Sequence, residues 1–212
     1  MIFKPSKHDR ATFGKIASEY NLTYYGTIIP SEADDYTPVR GMTASPEQID
    51  DNYTAGIVAG FNVQLLQRNH DVYITNNRKA NRTWTIVQID LAGFRVPHLI
   101  IGSNSKPSGD DLTLASYLRM YEIDLASLNT TIADDFANKF AVYVSPQKIQ
   151  SVASLFTPEL QAMLSIHFAD YDFEIDGDKL YVYTTKLPLV LTDLDKQLRI
   201  AIWLAKLVVK VL

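Results

Sequence analysis

The chain has 212 residues, 47% of them hydrophobic and 21% charged, with a formal net charge of −4 and no cysteine. This is globular composition, long enough for one sizeable core or two small ones; it excludes a disordered chain and argues against a general nucleic-acid binder, which carries a basic face. Without cysteine there are no disulfides, thiolate nucleophiles, iron–sulfur clusters or cysteine zinc sites.

The start, "MIFKPSKHDR", has no apolar core behind its charges, so export through a signal peptide is not expected. No run of about 18 uninterrupted apolar residues occurs, so the chain is not expected to span a bilayer by a helix. The Asn-x-Thr sequons at Asn21, Asn52, Asn81 and Asn129 mean little without a secretory route.

From Asp9 to Tyr20, Phe13, Ile16, Ala17 and Tyr20 recur at helical spacing and predict a short amphipathic helix. "LTYYGTII" follows as a strand. "PSEADDYTPVRGMTASPEQIDD" is a polar, proline-bearing loop ending in a helical turn, with Ser45-Pro46-Glu47-Gln48 as its cap. "TAGIVAG", "VQLLQ", "DVYIT" and "RTWTIVQIDL" are short runs rich in β-branched and aromatic residues. Between the last two, "NNRKAN" suits a hairpin turn with its basic residues at an exposed tip. "PHLIIGS" adds a buried strand, and "NSKPSGDD" is the clearest linker. Residues 53–102 therefore read as an antiparallel meander.

The second half changes period. "DDFANKFAVYVS" predicts a helical turn running into a strand. Gln147 to Phe156 and Glu159 to Phe168 are helical, opened by Ser145-Pro146 and Thr157-Pro158-Glu159. The fold class expected is α+β: a β-meander in the first half, helices plus a β-hairpin in the second, and a C-terminal amphipathic helix. The chain reads as one compact domain, residues 1–212, with a β-rich half at 1–104 and a helix-rich half at 105–212.

The stretch "DYDFEIDGDKLYVYTT" crowds acids around Gly177 and raises the question of calcium. An EF-hand loop places Asp172, Glu174, Asp176, Gly177 and Asp178 in register, but its ninth position is Leu180 and its twelfth, which must be a bidentate glutamate, is Tyr183. Tyr171, Phe173 and Ile175 alternate with the acids, and Leu180 and Val182 continue that period of two. Asp176-Gly177 supplies the positive φ of a tight turn. The stretch reads as a β-hairpin with its acids facing water.

Other candidate chemistry is thin. The pairs Asp34-Asp35, Asp50-Asp51, Asp110-Asp111 and Asp134-Asp135 read as helix caps or first-turn acids, because adjacent side chains do not face one another. Ser-x-x-Lys occurs at Ser103–Lys106 and Ser145–Lys148 without the companion motifs of a serine acyltransferase. His8, His70, His98 and His167 are scattered, and His98 reads as a buried, hydrogen-bonded strand histidine. There is no nucleophile elbow, phosphate loop or dinucleotide fingerprint. No catalytic, cofactor-binding or metal-ligating residue is assigned, and no cofactor.

The run from Asp134 to Thr184 has an acid-Phe-x-x-x-Phe start (Asp135, Phe136, Phe140), a strand at Val142 and Tyr143, and a Thr-Pro-acid helix start at Thr157, Pro158 and Glu159. It closes with an acidic hairpin ending in "LYVY". With "WTIVQIDLAGFRVPHLII" upstream, it resembles a bacterial domain-of-unknown-function family. The resemblance covers about 100 residues and implies a domain often found beside membrane segments; it implies no activity and no catalytic residue.

The segment most informative for function is the last, "LDKQLRIAIWLAKLVVKVL". At 100° per residue, Lys196, Arg199, Lys206 and Lys210 fall within a narrow arc, with Trp203 inside it. A helix apolar on the remaining sides with one basic stripe and a tryptophan has the composition of an interfacial helix. Its apolar surface needs a cover: the domain's own sheet, a second subunit (a homo-oligomer) or a bilayer. The function expected is a non-catalytic binding or scaffold module, cytoplasmic and peripheral to the inner membrane surface. The partner is that surface or a protein, not nucleic acid. The alternative is a small-molecule enzyme of hydrolase type with a site assembled from Asp111, His98 and Ser103.

Overall fold

The computed structural model describes residues 6–28, 39–43, 49–75, 78–105, 121–185 and 189–211, with 70–75 and 78–82 described by their backbone alone. The helices among them are α1 (Lys7–Glu19), α2 (Asp134–Lys139), α3 (Ile149–Val152), α4 (Pro158–His167) and α5 (Leu191–Val211). The strands are β1 (Thr23–Ile28), β2 (Ile49–Val58), β3 (Phe61–Thr75), β4 (Arg78–Asp90), β5 (Val96–Ser103), β6 (Tyr121–Glu122), β7 (Phe140–Val144), β8 (Asp172–Gly177) and β9 (Lys179–Thr184). Among the described residues they form one antiparallel sheet in the order β1-β2-β3-β4-β9-β8-β5-β7-β6. The fold is α+β, with a meander in the first half. By compactness the chain divides into two units, Met1–Asp90 with Tyr181–Ala205 and Leu91–Leu180 with Lys206–Leu212.

In the first unit β1 to β4 follow one another as an antiparallel meander. The β2–β3 turn is Ala59-Gly60, both at positive φ, 51° and 88°. That is the pair of conformations a two-residue hairpin of matching twist requires. "VQLLQ" and "DVYIT" prove to be one strand of 15 residues rather than two short runs. The polar residues Arg68 and Asn69 between them read as a break in sequence, yet they pair with Asp50 and Ile49 on one side and with Trp84 and Thr83 on the other.

Asp50-Asp51 is likewise not a cap. Both residues are buried within β2, which begins at Ile49 where a helical turn was expected. Asp50 lies opposite Arg68, and their side chains meet in a two-pronged ion pair, Nε–Oδ1 2.7 Å and Nη2–Oδ2 2.8 Å, with neither side chain exposed. The remaining guanidinium donors reach the Val39 carbonyl at 2.6 Å, the Arg40 carbonyl at 3.3 Å and the Thr43 hydroxyl at 3.1 Å. Asp51 accepts from the Thr27 hydroxyl at 2.6 Å and from Asn69 Nδ2 at 3.4 Å. Asn52, at φ 55°, shifts the β2–β3 register, donating to Gln67 Oε1 and accepting from the Tyr24 hydroxyl. Asp34-Asp35, Asp110-Asp111 and the cap at Ser45 lie outside the described residues.

Helix α1 starts at a Ser6 N-cap that accepts from the Asp9 amide, and it buries Phe13, Ile16 and Ala17 as its spacing predicts. Its Tyr20 hydroxyl donates to Asp195 of α5, and His8 Nε2 lies 2.9 Å from the Leu189 carbonyl. Within α5 the buried Gln197 donates to the carbonyls of Thr85 in β4 and Val182 in β9, which fixes the helix over those two strands.

In the second unit β5 pairs with β8 on one side and β7 on the other. The meander expected over 53–102 thus holds through β4 and stops there. The free edge of β4 is taken by β9, a pairing distant in sequence that local alternation cannot rank against a nearer strand. The acidic stretch does turn a corner, β8 to β9, with Gly177 at φ 60°. Its acids do not face water: Asp172 and Glu174 are each 1% exposed. Successive residues Asp172 to Ile175 are all buried, so both faces of β8 are covered there. The carboxylates are met by partners, the Ser103 amide on Asp172 at 2.9 Å and the His98 ring on Glu174 at 2.6 Å.

An aromatic cluster closes this unit's core, Phe136 stacked on Phe140 at 5.1 Å and edge-on to Phe156 at 5.9 Å, with Phe173 6.3 Å from Phe140. Thr157 caps α4 by accepting from the Leu160 amide, and Asp134 and Asp135 occupy the first turn of α2. The helical stretch at 147–156 is broken into a 3-10 turn, α3 and a second 3-10 turn.

Arg68→Ala leaves Asp50 charged and buried without its partner; urea unfolding is expected to show a loss of about 3–5 kcal/mol. Ala59 sits where an L side chain clashes with its own backbone. Ala59→Asn is expected to gain about 0.5–1 kcal/mol, read as a higher melting temperature.

Candidate functional site

Helix α5 carries the residues singled out from sequence. Lys196, Arg199, Lys206 and Lys210 are exposed, and Trp203 is half-buried among them. They fall within an arc of about 80° and extend about 21 Å along the helix. The remaining surface of the helix is part of the protein's own interior: Leu194, Leu198, Ile200, Leu204, Leu207 and Val208 are buried. Arg199 is held by Asp195 one turn earlier, Nε–Oδ2 2.8 Å, and that carboxylate also accepts from Tyr20. Burial first, then this hydrogen bond and the Asp195 charge, raise the Tyr20 hydroxyl above its ordinary value of 10.0.

An outside contact through α5 therefore uses charge and the edge of one indole, not the apolar face. Six buried aliphatic side chains contribute on the order of 10 kcal/mol to the core, so peeling the helix off to enter a bilayer costs as much as unfolding a domain.

Of the three residues of the enzyme alternative, two are described. Asp111 lies outside the described residues. His98 and Ser103 share β5 five residues apart, about 16 Å at strand rise. The Ser103 hydroxyl is hydrogen-bonded to the Ala169 carbonyl and to the Ser105 hydroxyl. Among the described residues no group of three or more histidine, aspartate or glutamate side chains is placed to hold a metal.

His98 instead forms an ion pair with Glu174, Nε2–Oε1 2.6 Å, in which the carboxylate is wholly buried and the imidazole 27% exposed. Burial disfavours the charged ring, but the hydrogen bond to Glu174 and the charges of Glu174 and Asp176 outweigh it, and His98 is raised above 6.5. Sequence reasoning missed this pair, as it missed Asp50–Arg68. Partners 76 and 18 residues apart carry no local signal that joins them.

No family model matches the chain, and no curated protein matches it. Its fold is similar to that of the crystal structure of the mycobacterial trehalose monomycolate transport factor A, TtfA, with a TM-score of 0.63 over 98% of this chain and 97% of that one. The two are 11% identical, so the likeness concerns the fold. No described helix is long and apolar enough to cross a membrane.

The raised His98 makes a pH prediction whose sign is fixed. A pKa higher in the folded than in the unfolded chain stabilises fully below pH 6.5, and that contribution fades as pH rises through the folded value. NMR titration of the His98 ring is expected to give a midpoint above 6.5 that moves down in Glu174→Gln. The stability gap between the protein and His98→Asn is expected to narrow as pH is raised across the same range.

Proposed function

We propose that this chain is a non-catalytic binding or scaffold module that works at the inner surface of a membrane, held there by the basic arc of α5. The observation that carries this reading is the separation of duties on one helix, with apolar residues committed to the core while Lys196, Arg199, Lys206 and Lys210 point outward. An exposed basic residue near an anionic leaflet contributes about 1 kcal/mol; Arg199 contributes less because Asp195 already faces it. Such a contact is reversible and weakened by salt.

A fold shared with a protein named as a transport factor supports the same reading.

The test is co-sedimentation with vesicles of neutral and of anionic lipid. The full chain is expected to pellet with anionic vesicles only, and Lys196→Glu/Lys206→Glu/Lys210→Glu to stay in the supernatant while retaining its circular dichroism. If the triple variant pellets equally well, the arc is not the contact. Ending the chain at Thr192 is a poorer test, because it removes buried Leu194, Gln197 and Leu198 and is expected to unfold the first unit.

A further inference from the structure

A second surface lies in the unit formed by Leu91–Leu180, between α2 and α4. It is an open depression of about 310 Å³. Along α4 its lining is Pro158, Gln161, Ala162, Ser165 and Ile166, which is a single stripe at i, i+3, i+4, i+7 and i+8; Ala133 and Asp135 line the α2 side. Pro158, Ala162 and Ile166 form one i±4 ridge open to solvent, and Ile166 is 67% exposed. Behind it Gln161 and Ser165 are buried.

The walls are fixed. Ala133, the N-cap of α2, offers no side-chain cap, and Gln161 supplies one: its Oε1 accepts from the Ala133 amide at 2.7 Å while its Nε2 donates to the Thr131 and Phe156 carbonyls. At the far end Lys139 Nζ donates to the Ser165 carbonyl at 2.9 Å and to Asp135 at 3.0 Å. Two side-chain bridges thus hold the helices apart at a set spacing, so an occupant need not organise them.

We propose that this depression is a docking groove for an amphipathic helix of a partner protein, one that carries basic residues beside its apolar stripe. An exposed i±4 ridge with small residues at its centre is the surface a second helix packs against, and Ala162 and Ser165 allow its backbone to come close. One wall is α4 and the other is Thr131 and Ala133 with Asp135 of α2; none of these lining residues belongs to a strand, which disfavours an extended peptide added to a sheet edge. The sign of the charge comes from Asp134 and Glu159, exposed and each next in sequence to lining residues, since Asp135 and Lys139 offset one another.

The experiment is a fluorescence-anisotropy titration of the full chain into a labelled helical peptide of about 18 residues, with leucine on one face and lysine on its flanks. A scrambled peptide of the same composition is run beside it. The helical peptide is expected to bind with a Kd in roughly the micromolar range and the scrambled one at least tenfold more weakly. Ile166→Gln and Ala162→Gln, both on exposed helix positions that leave the fold intact, are expected to weaken binding at least tenfold. Glu159→Gln is expected to weaken it several-fold and to reduce its salt dependence. Equal binding of the scrambled peptide, or no effect of Ile166→Gln, overturns the proposal. A concentration-dependent dimer that Ile166→Gln abolishes in sedimentation overturns it too, since the occupant is then a second copy of this chain.

Discussion

The ion pair between Arg68 and Asp50 is the contact on which the first unit depends. Two charges lie at 0% exposure between adjacent strands, where each alone would cost several kcal/mol in lost hydration. They are tolerable because every guanidinium direction is answered, by one carboxylate, two backbone carbonyls and a hydroxyl. Those last partners belong to residues 39–43, so the same arginine that pins the β2–β3 register also ties a loop segment onto the sheet. A slip of one residue turns Arg68 to the other face and leaves both charges unpaired. The pair therefore specifies register more than it adds stability.

Polar groups meet the same demand elsewhere. Gln161 caps a helix that has no cap of its own, and Gln197 bridges two strand carbonyls from α5. On β8, Asp172 and Glu174 stand at positions where an exposed strand would have turned them to water. Both are buried instead, and a backbone amide and an imidazole take water's place. His98 is the member of this group that solvent can reach, and its partner Glu174 raises its pKa above the ordinary value.

Helix α5 keeps its aliphatic and its basic residues on separate faces. Its aliphatic residues are core, so its orientation is set by the fold and not by any partner. The four basic residues are then presented along a line about 21 Å long without the ordering cost that a free amphipathic peptide meets at a surface. The depression beside α4 is built on the opposite plan, with apolar atoms open and acids at the rim. The two surfaces differ in charge and in chemistry.

What the sequence determined by itself was local. Period and capping placed α1, α4 and α5. Alternation placed β1, β4, β5 and the β8–β9 hairpin, and Gly177 placed its turn, because helix spacing, cap bonds and positive φ depend on residues within a few positions of one another. The basic arc of α5 was legible for the same reason. Only the tertiary structure decided what lies across from what. β9 rather than β5 completes the edge of β4, Asp50-Asp51 is a buried strand pair rather than a cap, and the acids of β8 point inward. The chain's own interior covers the apolar face of α5. Each of these turns on pairing and burial between residues far apart in sequence, where a carboxylate or a leucine takes its role from whatever the fold brings against it.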